Sequence, residues 1–121
     1  MDAAIKQKWV AALKSGEFKQ GEGALRRTEG DGVSFCCLGV LCELYRKENG
    51  GEWQPRQDGF FEMFEEHEWL PNEVAIWAGL DCNGSDTEVE VEDGEWSTLP
   101  DLNDGSGWDF PKLADLIEKR L

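Results

Sequence analysis

Between residues 51 and 109 the sequence has a single basic side chain, Arg56, against seventeen aspartates and glutamates. A surface built from that stretch repels phosphate, which argues against direct binding of nucleic acid or an anionic membrane and favours basic proteins as partners. Histidine is nearly absent as well: His67 is the one imidazole in 121 residues. It lies in the acidic run FEEHEW, whose carboxylates are expected to hold it protonated rather than leave it free as a base. No apolar run approaches the roughly 20 residues of a membrane span. The opening MDAAIKQKWV lacks the charged-then-apolar layout of a signal peptide, so the expected location is the cytoplasm. A phosphate loop of the GxxxxGK[ST] order is missing too, although Gly16, Gly21 and Gly23 flank Lys19 and Gln20. Without repeats or a low-complexity linker, residues 1–121 read as a single domain with one modest core.

What is present is an uneven distribution of charge. The formal net charge is −14, yet residues 1–50 carry eight basic and seven acidic side chains and residues 110–121 carry three and two. Nearly the whole negative field therefore belongs to the middle of the chain. Lys6, Lys8, Lys14, Lys19, Arg26 and Arg27 gather in the first quarter, and two electrically different faces are expected.

The pattern of apolar residues gives an α+β fold. Ile5, Trp9, Ala12 and Leu13 recur at helical spacing over residues 2–15, with Gly16 placed to end the helix. Ala24–Thr28 and Val33–Phe35 flank the turn-forming Glu29-Gly30-Asp31-Gly32 and predict a hairpin. Residues 36–47, beginning CCLGVLCELY, are apolar almost all round until Glu43, which predicts a buried central helix. Residues 48–69 fit neither helical nor strand period. Pro71 opens a short helix in which Val74 and Trp77 share a face and Gly79 is the stop. Thr87–Glu92 alternates, Asp93-Gly94 is a two-residue hairpin signal, and Glu95–Leu99 returns, with the glutamates of the first strand facing water. Asp109 caps a last helix whose Leu113, Leu116, Ile117 and Leu121 face the core, with Asp115 and Lys119 paired at i,i+4. The expected architecture is thus terminal helices and a buried central helix packed with two short antiparallel hairpins.

Four cysteines, Cys36, Cys37, Cys42 and Cys82, are expected to be thiols in a chain without an export signal. Cys36 and Cys37 follow a strand and open a helix, where amides and the macrodipole favour a thiolate. The lack of a credible base makes core packing the better reading, and a cysteine hydrolase the remote one. Zinc lacks a second ligand arm, since Cys37 and Cys42 are five apart and Cys82 is forty residues on. Asp81, Asn83, Ser85 and Glu92 fall at positions 1, 3, 5 and 12 of an EF-hand pattern, but Asp86 stands where Gly is needed; a solvated turn fits better. No metal site and no cofactor are expected.

Two binding surfaces remain. Lys8, Trp9, Lys19, Gln20, Arg26 and Arg27 could converge on a small anionic ligand. Glu88, Glu90, Glu92, Glu95, Asp101 and Asp104 would form an acidic face for a basic partner. Six tryptophans, at 9, 53, 69, 77, 96 and 108, exceed what one small core hides, so some should be partly exposed anchors, with Trp9 itself also readable as core.

KWVAALKSGEFKQGEGALRR, FCCLGVLCELY, LPNEVAIWAGL and LNDGSGWDFPKLADLIEKRL, in this order, resemble a recurrent type of small protein encoded by bacteriophages and prophages. The resemblance covers most of the chain and carries no catalytic residue. It implies action on an infected bacterial host by binding, within the host cytoplasm. The first expectation is a non-catalytic inhibitor of a host defence system whose acidic face blocks a protein that handles nucleic acid. The second is a sponge, possible as a homo-oligomer, that sequesters a nucleotide-derived immune signal with the basic quarter.

Overall fold

A computed structural model describes residues 1–80 and 88–121 as an α+β fold. The positions compared with an EF-hand at 81, 83 and 85, together with Cys82 and Thr87, lie outside the described residues.

The first helix, α1 (Ala3–Lys14), starts where Asp2 Oδ1 accepts a hydrogen bond from the Ile5 amide at 2.9 Å, relieving one of the unpaired donors of the first turn. Ile5, Trp9, Val10 and Leu13 form its buried stripe. The strands β1 (Arg26–Glu29) and β2 (Gly32–Phe35) then form the expected hairpin, in register Arg26 with Phe35 and Arg27 with Ser34.

The central helix α2 (Cys37–Asn49) is buried along Cys37–Cys42, as its lack of a polar face requires. Its position is set by Gly39: a Cβ there would lie 1.7 Å from the Leu25 carbonyl oxygen, so glycine alone lets the segment entering β1 press against the helix. The Trp9 indole Nε1 donates to the Cys37 carbonyl at 2.9 Å and ties α1 to the same spot.

The stretch that fits neither period supplies two further strands, β3 (Gln54–Pro55) and β4 (Phe60–Glu62). They extend the hairpin into a four-stranded antiparallel sheet of order β2-β1-β4-β3, instead of leaving two separate hairpins. Helix α3 (Asn72–Ala78) follows Pro71, buries Val74, Ala75 and Ala78, and ends at the left-handed Gly79. The second hairpin is β5 (Glu88–Glu92) with β6 (Glu95–Thr98). Gly94, at φ 80°, occupies the turn position that demands left-handed backbone.

A π-helical turn over Asp101–Gly105 buries Leu102 and Asn103 before α4 (Phe110–Arg120), which Asp109 caps by accepting from the Lys112 amide at 3.0 Å. Helices α1 and α4 pack side by side. The expected pair within α4 is replaced by one across this contact: Asp115 receives Lys14 of α1 at 2.9 Å. Lys14 reaches Asp115 from the helix packed alongside, so this carboxylate is engaged across the α1–α4 contact and not by Lys119 of its own helix.

Candidate functional site: an acid-lined cleft

The π-helical turn, the end of β6 and the residues before α3 enclose a cleft of about 410 Å³. Glu68, Asp101 and Asp104 contribute carboxylates, Trp69 an indole that is 53% exposed, and Thr98 and Pro100 the β6 side. Gly23, Ala24 and Cys36 complete the lining, which contains no basic side chain.

Each wall has a local cause. A π-helical turn is rare and often marks a functional site; here it turns Leu102 and Asn103 inward and leaves Asp101 and Asp104 exposed. Asn103 is held from three sides: its amide donates to the Gly21 carbonyl at 2.9 Å and to Asp104 Oδ1 at 2.7 Å, while its Oδ1 accepts from Gln20 Nε2 at 2.8 Å. Asp104 Oδ2 also accepts from the Gly23 amide at 3.2 Å, so this carboxylate is fixed at the cleft edge. On the opposite wall the Leu25 amide donates to the His67 carbonyl at 2.8 Å, anchoring the segment that presents Glu68 and Trp69.

Cys36 sits at the cap position of α2, 7% exposed. Burial pushes its thiol up to about 11 against the favourable amides of Gly39 and Leu38, and Asp104 adds to the rise. Burial also drives Cys37 and Cys42 well above the ordinary thiol value. These groups are protonated core side chains at neutral pH. His67 is engaged elsewhere: Arg56 Nη1 donates to Nδ1 at 3.3 Å, and Glu68 Oε1 lies 3.7 Å from Nε2. The ring thus faces a guanidinium as well as the carboxylates foreseen around it. Among the described residues no group of three or more His, Cys, Asp or Glu is arranged to hold a metal ion.

The expected acidic face divides into parts. Asp101 and Asp104 line the cleft, whereas Glu88, Glu92 and Glu95 stand exposed on the second hairpin. Glu90 is half-buried and takes Arg120 Nη1 at 3.3 Å, so it does not point freely to water.

The basic residues do not meet around one cavity. Trp9, expected at the ligand, is fully buried with its N–H used by Cys37; the size of the indole and the apolar stripe of α1 place it in the core. Lys8 pairs with Glu48 of α2. Gln20 spends its amide on Asn103 and on the Trp108 carbonyl, at 2.7 Å. Lys19 and Arg27 do come together, around Glu29: the Ser34 hydroxyl first, then Lys19 at 3.7 Å and Arg27, hold that carboxyl below its ordinary value. Arg26 points to the other side of β1, 4.2 Å over the Phe61 ring and 5.7 Å from Trp53, and burial lowers its pKa.

Residues 1–121 match the model of a family described as a domain of unknown function, DUF8296. The chain belongs to this family. No curated protein and no solved structure matches it. Sequence reasoning did not single out Glu68, and it named Trp69 only as one of six tryptophans of which some should be exposed anchors, without placing either at the cleft. The signal for them was present, an exposed tryptophan beside a carboxylate in a run too acidic to be core, but the run fitted no period that could orient it.

Proposed function

We propose that the chain is a non-catalytic binding protein, whose acidic cleft and the adjoining glutamates occupy a basic surface on a host protein that handles nucleic acid. The observation that carries this reading is the cleft lining: three carboxylates and an exposed indole with no cation among them. Carboxylates beside an aromatic face are the chemistry that receives lysine or arginine side chains, through ion pairs and a cation–π contact. The raised thiols of Cys36, Cys37 and Cys42 count against a cysteine nucleophile, because a protonated buried thiol does not attack. The resemblance to phage-encoded proteins supplies the context, an infected bacterial cytoplasm, and a defence system as the target.

The dispersal of Lys8, Trp9, Gln20 and Arg26 leaves the nucleotide sponge without a shared pocket among the described residues. Competition decides between the readings. The protein should displace DNA from a basic DNA-binding host protein, and displacement should weaken with salt. Asp101→Asn with Glu68→Gln should lose most of the effect, and Glu88, Glu92 and Glu95 changed to Gln should slow association. Displacement that ignores both salt and these substitutions sinks the acidic reading. Calorimetric binding of a nucleotide that is lost in Arg26→Ala or Arg27→Ala would put the sponge in its place.

A further inference from the structure

Three partly exposed aromatic rings from separate elements meet away from the cleft lining. Tyr45 of α2 packs edge to face against Phe64, with ring centroids 5.7 Å apart, and against Trp77 of α3, at 5.4 Å. Phe64 is 43% exposed. The backbone that holds it there is strained. Met63 and Glu66 exchange both of their hydrogen bonds, at 2.9 and 3.0 Å, and close a two-residue turn. Its central residues, Phe64 and Glu65, have φ of 52° and 68°. A turn left-handed at both centres is the type I′ that selects Asn-Gly, and bulky L side chains seldom adopt it. Neither residue is repaid by burial, since Glu65 is exposed and the Phe64 ring is nearly half in solvent. Strain maintained without an internal return points outward.

The rim of this patch is acidic. Glu65 and Glu66 follow Phe64 directly, and Glu73 lies one turn before Trp77 on the same face of α3. Among the described residues none of these three glutamates takes part in an ion pair. A second copy is a poor occupant, because a two-fold contact would bring the same glutamates together as apolar surface left water. The matching occupant has the opposite charge around an apolar stripe. We infer that the Tyr45, Phe64 and Trp77 patch docks a basic amphipathic helix of a partner protein, its apolar side on the rings and its lysines or arginines at Glu65, Glu66 and Glu73. This surface is independent of the cleft, and either reading can fail alone.

The test titrates the full chain with two synthetic peptides of equal charge, about 18 residues long so that each can form a helix. One is an amphipathic Leu/Lys helix and the other has every Leu replaced by Ser. The Leu/Lys peptide should bind about tenfold tighter or more, with a change in tryptophan fluorescence, as expected of an aromatic anchor site. Phe64→Asn combined with Glu65→Gly, which gives the turn its preferred residues, should abolish that difference while leaving Tm unchanged or higher. If that variant fails to fold, Phe64→Gly carries the same readout. Equal binding of the two peptides, or an unchanged preference in the folded turn variant, overturns the proposal. So does a dimer of the unaltered protein in sedimentation that the turn variant dissolves, since the occupant is then a second copy.

Discussion

The first fifty residues and the middle of the chain use charge in opposite ways. In the first, cations are consumed internally: Lys8 by Glu48, Lys14 by Asp115, Lys19 by Glu29, and Arg46 by Glu43. In the middle, Arg56 is divided between Asp58 and Glu62, and Glu65, Glu66, Glu73, Glu88, Glu92, Glu95 and Asp101 form no ion pair among the described residues. Charges that are matched within the fold serve the fold. Carboxylates left unmatched, several beside exposed aromatic rings, are open to something else.

That contrast predicts a steep gradient in tolerance to substitution. The largest effect should come from Gly39→Val in the first region. Its Cβ would sit 1.7 Å from the Leu25 carbonyl, and neither backbone can yield, so a loss of about 4 kcal/mol or more is expected in urea unfolding. A variant that folds normally would show that the α2 contact is not what orders the region. Next, Trp9→Phe removes the donor to the Cys37 carbonyl and part of a fully buried ring, and should cost about 2 kcal/mol by the same measurement.

Glu43→Gln should cost about 1 kcal/mol, since it weakens the contacts with Arg46 and Trp53. Burial works to raise the Glu43 carboxyl, but Arg46 and Trp53 overcome it and hold it below 4.5. A depressed carboxyl stabilises above its unfolded value, so this contribution is present at neutral pH and fades as pH falls below about 4.5; it should be missing from the acid limb of the Glu43→Gln profile. The buried thiols act at the other end. Cys36 is raised from 9.0 to about 11, so its contribution is complete below pH 9 and is lost as pH climbs from there toward 11. Thermal melts across that window should show a decline that Cys36→Ala reduces. Smallest of all, Glu88, Glu92 and Glu95 changed together to Gln should move stability by no more than about 0.5 kcal/mol, or raise it by relieving repulsion. A loss comparable to Glu43→Gln would erase the distinction between the two regions.

The sequence reading was strongest where one period dominated. The apolar stripe of α1, the all-round apolar face of CCLGVLC and the Asp93-Gly94 turn each specify their element locally, and the structure has all three. The partner that Gly39 admits, the Leu25 carbonyl, is set by tertiary packing that no local period records. Residues 48–69 were opaque for a physical reason. Their strands are two and three residues long, too short for an alternation to register, and Phe64-Glu65 occupies a turn that its residue types oppose. The cleft was half legible: Asp101 and Asp104 were foreseen as acidic face, but Glu68 and Trp69 join them only through the tertiary position of that same opaque stretch. The basic quarter misled because adjacent cations in sequence were assigned to one face, whereas strand alternation sends Arg26 and Arg27 to opposite sides of β1.

The Asn103 amide has a consequence for the order of events in folding. Its bonds with Gln20 and Gly21 span 83 and 82 residues, and Gln20 reaches Trp108 across 88. Contacts of that separation close a loop containing most of the protein, so they form after local helices and hairpins are in place. Asn103 should therefore act as a latch in time: Asn103→Ala would accelerate unfolding while leaving the refolding rate nearly unchanged. The cleft wall that this residue supports would be among the last parts of the molecule to assemble and among the first to open.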